Sequence, residues 1–327
     1  MGNNKIIRSF ITRIKDFKEL SVLLVLVLVS VLLSITTDSF ATTDNLGSLA
    51  IGLSCDGIIA IGMTTAMIGG GFDLSVGGIF GLSAAIAALL TVAGVNIWLA
   101  VFIALAVCVV VGLINGLLIS KVGVNPFITT LGMMSITRGL VLVLTDARSV
   151  SIVKIPDIAS FRVLGTGDFL SIPIIVIVFI LMGIIGDIVV KKTTIALQLF
   201  YVGSNEKAAR LSGINVDRVK TSIYMITAFM AAIAGVLSLS RFGVATALGG
   251  QGAEMRVVSA TVIGGASLKG GKGSVLGAIL GIVLLNVVNN GLVLLSISVY
   301  WQSVISGLIL IIAVSIDTLS TNRKNSK

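Results

Sequence analysis

The chain has 327 residues, of which 56% are hydrophobic and 11% are charged, and its mean hydropathy is +1.13. Because soluble domains carry roughly 25% charged residues, this composition predicts an integral membrane protein. The sequence has no histidine, which excludes Ser-His-Asp and Cys-His catalysis and histidine-ligated metal sites. The net charge of +9 does not indicate a nucleic-acid partner, since the basic residues cluster in short polar segments beside apolar runs.

Apolar runs of about 20 residues, the length that crosses a bilayer, recur along almost the whole chain. They predict an all-α polytopic bundle of about ten transmembrane helices, forming one transmembrane domain over residues 1–327 with its membrane region at about 20–320. The predicted spans are 20–36, 49–68, 74–93, 97–119, 126–145, 169–190, 221–240, 254–268, 275–296 and 299–318. Re-entrant hairpins at 49–93 or 254–296 are an alternative that leaves eight full spans.

The distribution of basic residues predicts the orientation of these spans. Lysine and arginine are concentrated in the first 18 residues, in the loop 191–220 and in the C-terminal tail. Since cytoplasmic segments carry an excess of such residues, both termini and the loop are expected in the cytoplasm. The segment 37–48 carries only acidic charge, at Asp38 and Asp44, and is expected outside.

The segment "GGGFDLSVGG" at 69–78 interrupts an apolar region with glycines and a carboxylate. Three glycines weaken a helix, and Asp73 or Ser75 can start a new one as a cap. A broken helix at membrane depth is tolerated where it faces protein or a water-filled cavity. Asp73 and Ser75 therefore either cap a tight turn or line a transport path.

The segment "VIGGASLKGGKGSVLGAILGIVLL" at 262–285 repeats this pattern of glycines within apolar sequence. Its "GGKGS" lacks the spacing of a Walker A motif and a preceding soluble strand. We therefore expect this chain to bind no ATP and no other cofactor.

Polar side chains also occur inside two predicted spans. Arg138 lies about 18 Å along the helix that begins at Pro126, where it is either functional or extends to the headgroups. The side chains of Asn286, Asn289 and Asn290 share one helical face. They either hold helices together or hydrogen-bond a hydroxylated solute.

The loop segment "YVGSNEKAARLSGINVDRVK" predicts a short helix in the cytoplasm. Ser204 or Asn205 can cap a helix that begins near Glu206, and Gly213 ends it after about two turns. Such a helix can fit a groove on a soluble partner, or it can belong to a solvated surface loop.

Five stretches together resemble the permease subunit of bacterial ABC importers for simple sugars, the ribose-type family. They are "GGGFDLSVGG", "NPFITTLGMMSITRGL", "GSNEKAARLSGINV", "VIGGASLKGGKGSVLGA" and "NNGLVLLSISVYWQSVISGLILIIAV". The resemblance covers roughly residues 20 to 320, in the family's order and spacing. It implies a location in the bacterial cytoplasmic (inner) membrane.

The resemblance implies roles for residues of the cytoplasmic loop. Glu206, Ala208, Ala209 and Gly213 match the family's coupling pattern, which shapes the helix that docks into the ATPase. Arg210 lies on the same short helix and is an added candidate for this contact.

Further residues match the family inside the membrane region. Asp73 and Ser75 match its "DLSVG" signature, whereas "NPFI", with Phe127, departs from the commoner "PPFI". These residues are candidates for the translocation pathway together with Arg138 and the three asparagines. Glu254 lies where relatives carry a glutamate near the outer face, so it is a candidate contact for the binding protein.

The resemblance also implies partners for this chain. Two permease subunits, identical or paired with a close homologue, would form the pathway in membrane lipid. Cytoplasmic ABC ATPase subunits would bind ATP and Mg²⁺, and an extracytoplasmic solute-binding protein would deliver the solute. The permease itself is then not an enzyme.

Several alternatives remain open at this stage. The solute can be a ribose-like pentose, a hexose, autoinducer-2, a nucleoside or a branched-chain amino acid. An ion-coupled secondary transporter would need its own carboxylates, for which Asp56, Asp73 and Asp187 are the candidates. A membrane enzyme is disfavoured because no nucleophile and base can be paired.

Overall fold

The computed structural model describes residues 18–156 and 158–298, together with scattered residues between 300 and 315. The described helices are α1 (Lys18–Thr36), α2 (Thr43–Ile68), α3 (Val76–Val92), α4 (Ile97–Leu117), α5 (Pro126–Thr145), α6 (Ala159–Thr166), α7 (Ile174–Lys192), α8 (Thr194–Ser204), α9 (Glu206–Leu211), α10 (Val216–Phe242), α11 (Ala253–Ile263) and α12 (Val275–Leu294). Four two-residue strands are β1 (Val150–Ser151), β2 (Asp168–Phe169), β3 (Ile172–Pro173) and β4 (Val244–Ala245).

Within the described residues, seven helices are long and apolar enough to cross a membrane. They are α1, α2, α4 with a π-helical extension to Val122, α5, α7, α10 and α12. This confirms an all-α polytopic membrane protein. The predicted span at 299–318 lies largely outside the described residues.

Two predicted spans are shorter than a bilayer requires. The span predicted at 254–268 is wrong, because α11 has 11 residues and a length of about 17 Å, against a hydrocarbon core of about 30 Å. The span predicted at 74–93 is the 17-residue helix α3. The helix α3 follows a glycine-rich break and α11 precedes one. The structure therefore has the broken segments that the sequence predicts.

The predicted loop at 191–220 is mostly helical. It contains α8, whose residues Ala196, Leu199 and Val202 are buried, as well as the short helix α9. The helix α7 begins at 174 instead of 169, because β2 and β3 form a hairpin before it. At the tip of that hairpin, Leu170 and Ser171 have positive φ angles of 51° and 64°.

The helix α10 occupies the centre of the bundle, where it packs against α2, α3 and α4. Small residues bring these backbones close, which is the usual basis of helix packing where lipid supplies no hydrophobic drive. A Cβ atom at Gly235 would overlap the carbonyl oxygen of Phe80 on α3. At Gly112 it would lie 2.6 Å from the carbonyl oxygen of Tyr224.

Beyond its last turn, α10 leads directly into the segment that carries α11. Gly243 ends the helix with φ +68°, and β4 then pairs antiparallel with β1, placing Val150 opposite Ala245. A glycine-rich turn over residues 246–252 follows. The pairing with β1 therefore fixes the start of this turn beside the end of α10.

Candidate functional site

The first helix break is held by a buried polar cluster. Asp73 accepts hydrogen bonds from the backbone amide of Ser75, at 2.8 Å, and from the Ser75 hydroxyl. The Ser75 hydroxyl in turn accepts from the Asn115 side-chain amide at 3.0 Å. All three residues are fully buried. Asp73 and Ser75 thus hold the turn together, which is one of the two predicted roles. In the single chain both side chains lie in the interior.

The two glycines that follow Asp73 allow α3 to approach its neighbours. A Cβ atom at Gly77 would overlap a carboxylate oxygen of Glu254. At Gly78 it would overlap the hydroxyl of Thr137 on α5. The second half of "DLSVGG" is therefore the contact surface between α3, α5 and the start of α11.

At this contact, Arg138 and Glu254 form an ion pair. The distance from Arg138 Nη2 to Glu254 Oε1 is 2.8 Å, and the side chains are 32% and 7% exposed. Arg138 therefore has a protein partner, which the sequence alone did not identify. Glu254, which we expected near a docking surface, is buried against α3 and α5 in this conformation.

A second ion pair lies two residues further along α11. Arg256 donates to both carboxylate oxygens of Asp56, at 2.8 and 3.1 Å. This bidentate geometry is the strongest form of a guanidinium–carboxylate contact. The start of α11 is thus tied to α5 by Glu254 and to α2 by Arg256.

The asparagines of α12 serve in part to join helices. Asn290 exchanges two side-chain hydrogen bonds with Asn45 of α2, at 2.8 and 3.0 Å. Asn286 donates to the carbonyl of Ile282 within its own helix at 3.0 Å, and Asn289 is half-buried. Helix joining, one of the two predicted roles of the stripe, therefore applies to Asn290.

Phe127 lies apart from these clusters, at the first turn of α5. It is 48% exposed and makes an edge-to-face contact with Phe72, with ring centroids 6.3 Å apart. Asn125 caps the helix by accepting from the Phe127 amide at 2.9 Å. The "NPFI" variant thus supplies a capping side chain at this position.

The short helix α9 has the ends that the sequence predicts. Asn205 accepts from the amide of Ala208 at 3.0 Å as its N-cap. The helix ends at Leu211, and Gly213 follows with φ +83°. Ala209 is buried against the bundle, whereas Ala208 is exposed. The second alanine of the pattern therefore faces the bundle, and the first faces outward.

The charged residues of α9 pair with the start of α10. Lys220 Nζ lies 2.6 Å from Glu206 Oε2, and Arg210 Nη2 lies 2.9 Å from Asp217 Oδ1. The hydrogen bond and charge of Asp217 raise the pKa of Arg210 above its usual value, so Arg210 stays charged. These pairs orient α9 with respect to α10.

Leu211 was not predicted as a site residue, and the structure places it at the exposed end of α9. Its side chain is 90% exposed, on the same short helix as Glu206 and Arg210, whose charges are paired within the chain. A leucine three residues after Ala208 would have indicated an apolar outer face.

The two helix breaks meet each other at the end of α8. A Cβ atom at Gly203 would overlap the carbonyl oxygen of Ile68, the last residue of α2, and lie 2.7 Å from the amide of Gly271. The Gly271 amide donates to the same Ile68 carbonyl at 2.8 Å. We call Gly70, Gly203, Gly270 and Gly271 the glycine junction. It joins both broken segments to the last turn of α8, just before α9.

The candidate site residues and their partners thus form two groups at opposite ends of α10. Glu206, Arg210 and Leu211 lie near its start, and Asp56, Arg138, Glu254 and Arg256 surround the segment after its end. From Asp217 to Arg241, α10 extends about 36 Å at 1.5 Å per residue. Among the residues the structure describes, no group of three or more histidine, cysteine, aspartate or glutamate side chains could hold a metal ion.

These features define a class of protein: a multi-pass helical membrane protein with two broken helices and an exposed, capped short helix, α9, beside them. The chain belongs to the family described as "Branched-chain amino acid transport system / permease component", whose model matches residues 45–314. It is therefore a permease component, a class of transport subunit without catalytic activity of its own.

Known permeases are similar to the chain over nearly its whole length. The ribose import permease protein RbsC of Bacillus subtilis (strain 168) is 38% identical over 300 residues, covering 92% of both chains. The L-arabinose transport system permease protein AraH of Escherichia coli (strain K12) is 34% identical, covering 94% of this chain and 93% of its own. The D-allose transport system permease protein AlsC of the same strain is 33% identical over 294 residues, covering 90% and 89%. No solved structure matches the chain.

Proposed function

We propose that this chain is the membrane-spanning permease subunit of an ATP-driven importer for a simple sugar. The observation that carries the proposal is the similarity to three permeases that are named for ribose, L-arabinose and D-allose. They are 38%, 34% and 33% identical to this chain over nearly its full length. The family's description names branched-chain amino acids, so a solute of that class is the second candidate.

The short helix α9, the proposed coupling element, supports an ATPase partner in the cytoplasm. It is capped by Asn205, its residues Glu206 and Arg210 are paired with the start of α10, and its exposed tip is Leu211. A rigid helix that presents an apolar residue is suited to a preformed groove, because little conformational freedom is lost on docking. ATP and Mg²⁺ belong to that partner in this proposal, and the permease binds no cofactor.

The ion pairs of two candidate carboxylates favour this mechanism over an ion-coupled carrier. Asp56 is paired with Arg256, and Asp187 with Lys191 at 2.8 Å. A carboxylate that cycles between ion-bound and free states has to be released from such a cation. Asp73 accepts hydrogen bonds from Ser75 through one oxygen and has no ion pair within the described residues, so it is the carboxylate that an ion-coupled carrier would use. The energy for transport comes, in this proposal, from the ATPase.

The proposed mechanism is alternating access in a pair of permease subunits. Closure of the ATPase subunits moves the two α9 helices, and the glycine junction passes this displacement to both broken segments. The bundles then rock and open a central path to the solute-binding protein outside. In this arrangement the chain lies in the bacterial cytoplasmic membrane with both termini in the cytoplasm, as its basic segments indicate.

The test is uptake into vesicles that contain this chain, its candidate ATPase and its candidate binding protein. We expect labelled D-ribose, L-arabinose or D-allose to accumulate only with all three proteins and with ATP, and an uncoupler of the proton gradient to have no effect. L-leucine is the comparison solute. Uptake of leucine without sugar, or sugar uptake that needs no ATP, would overturn the proposal.

A further inference from the structure

A cavity of about 610 Å³ lies beside the end of α10, between α2, α3 and the turn at 246–252. Its size is within the range of roughly 300–1,000 Å³ that is typical of small-molecule sites. It is at the end of the bundle opposite to the coupling helix. With the orientation proposed above, it would face the side from which the solute arrives.

Polar groups of both hydrogen-bonding types line this cavity. The Asp56–Arg256 pair forms one wall, and the side chain of Gln251 is exposed on the turn. The hydroxyls that complete the lining belong to Ser48, Ser238 and Thr246. A carboxylate accepts, a guanidinium donates, and amides and hydroxyls do both. This set matches a solute whose groups both donate and accept, which is the property of an alcohol.

One charge pair at this cavity offers no free charge to a solute. Asp56 is neutralised by the bidentate contact with Arg256, so an amino acid zwitterion would have to divide that pair to use either charge. The third charged group, Arg241, adds one positive charge: it donates to the Gly165 carbonyl at 3.4 Å, lies 5.8 Å from the centroid of the Phe242 ring and forms no ion pair within the described residues. The lining also includes the rings of Phe80 and Phe242, which offer apolar surface to the carbon skeleton of a sugar.

Gln251 has a special position at this cavity. A smaller cavity of about 90 Å³, beside Arg138, lies on the other side of the same turn and is also lined by Gln251, Leu248 and Gly249. The turn therefore separates two spaces, with an ion pair at each side of its exit into α11. A group bound in the larger cavity would contact the turn directly.

We propose that this cavity is a binding site for a neutral, polyhydroxylated solute, with Gln251 and the Asp56–Arg256 pair as its polar contacts. The proposal rests on the proposed function and deepens it, because it assigns the sugar to a place within one permease subunit. The affinity of the site is expected to be low, since the solute has to leave it again during transport.

The test is protection of a cysteine from a small, water-soluble maleimide. Leu248→Cys is introduced together with Cys55→Ser. Leu248 lines the cavity and is 67% exposed, and it is not one of the proposed polar contacts. Cys55 also lines the cavity, whereas Cys108 is buried. The control is Ser39→Cys in the same background, which is exposed on the turn between α1 and α2. Labelling rates are measured on the permease–ATPase complex while D-ribose, L-arabinose, D-allose or L-leucine is titrated.

We expect at least one sugar to slow labelling of Leu248→Cys about tenfold at ten times its dissociation constant, since occupancy reduces the free site in that proportion. Ser39→Cys should be unaffected, and leucine should protect neither. Unchanged labelling with every sugar, or protection by leucine alone, overturns the proposal. Thr246→Cys repeats the measurement if Leu248→Cys does not assemble.

Uptake of the same sugars by the complete transporter is measured separately with the unmodified chain. Sugar uptake without protection shows that the cavity assignment has failed while the proposed function stands. Protection together with ATP-dependent sugar uptake supports both. Absence of uptake with every sugar, in a complex that hydrolyses ATP and accumulates leucine, shows that the proposed function has failed.

Discussion

Lys220 donates a hydrogen bond to Glu206 over 2.6 Å and so joins the short helix α9 to the first turns of α10. The same carboxylate lies 3.6 Å from Arg210, its neighbour one turn along α9. Glu206 therefore has partners within its own chain. This geometry assigns it a role in orienting α9, and the role can be separated from direct contact with an ATPase.

Reversal of the charge at this position, Glu206→Lys, should abolish coupling without unfolding the protein. The new lysine faces Lys220 and Arg210 and repels both, so α9 loses its orientation. Exposed ion pairs contribute about 0–1 kcal/mol, and we therefore expect an almost unchanged melting temperature. Uptake should fall about tenfold or more, since 1.4 kcal/mol of lost docking energy corresponds to tenfold. Vesicle uptake and thermal unfolding in detergent measure the two effects.

The matched control is the exchanged pair Glu206→Lys with Lys220→Glu. It restores opposite charges across the same contact, and we expect partial recovery of uptake. An exchanged pair as inactive as the single variant would contradict an orienting role and indicate that the Glu206 carboxylate contacts the ATPase itself.

The exposed tip of α9 should carry much of the ATPase contact. Leu211→Glu places a charge where we propose an apolar anchor, and loss of such an anchor costs about 2 kcal/mol or more. We expect recovery of the ATPase on purification of the tagged permease to fall by at least about tenfold. Leu170→Glu, at a leucine that is 82% exposed on the hairpin before α7, should leave recovery unchanged. Equal recovery with both variants would rule out the proposed contact.

The ion pair between Arg138 and Glu254 should matter for stability. Arg138→Met leaves a carboxylate that is 7% exposed without its cation, and we expect the free energy of unfolding to fall by about 2 kcal/mol, the range for a hydrogen bond between charged groups. Glu254→Gln keeps an acceptor for the arginine and should cost less. The double variant, Arg138→Met with Glu254→Gln, should lose less free energy of unfolding than the two single variants lose in sum. Additive losses in thermal unfolding would contradict a direct coupling.

The glycine junction should tolerate no side chain at its centre. Gly203→Ala forces a Cβ atom against the Ile68 carbonyl oxygen, and overpacking of this kind costs about 1–3 kcal/mol. Gly132→Ala, at an exposed helical glycine with nothing within 4 Å of its added Cβ, should be neutral or raise stability by about 0.5–1 kcal/mol. Thermal unfolding of both variants is the measurement. Equal stability of the two would show that the junction can relax.

The local features of the fold could be predicted from the sequence because short-range chemistry determines them. The cap at Asn205, the end of α9 before Gly213 and the helix break at 69–75 each follow from a few neighbouring residues. The seven long apolar helices follow from composition and length. The chain from 254 to 268 was predicted as a full span, with a re-entrant hairpin at 254–296 as the alternative, because apolar residues on both sides of a glycine turn resemble one continuous span.

The contacts between distant residues could not be predicted in the same way. Arg138 and Glu254 are separated by 116 residues, and Asp56 and Arg256 by 200. Asp56, Arg138 and Glu254 were named from the sequence and Arg256 was not, and nothing local indicates which arginine meets which carboxylate. The packing of α5 and α2 around the start of α11 decides this, and that packing is a property of the whole bundle.

At the glycine junction, main chain lies directly on main chain. Gly203 lies against the carbonyl of Ile68 at the end of α2 and against the amide of Gly271, so backbone atoms of the two broken segments and of α8 meet at one point. A displacement of the last turn of α8 would therefore act on both segments directly, without passing through the long helices between them.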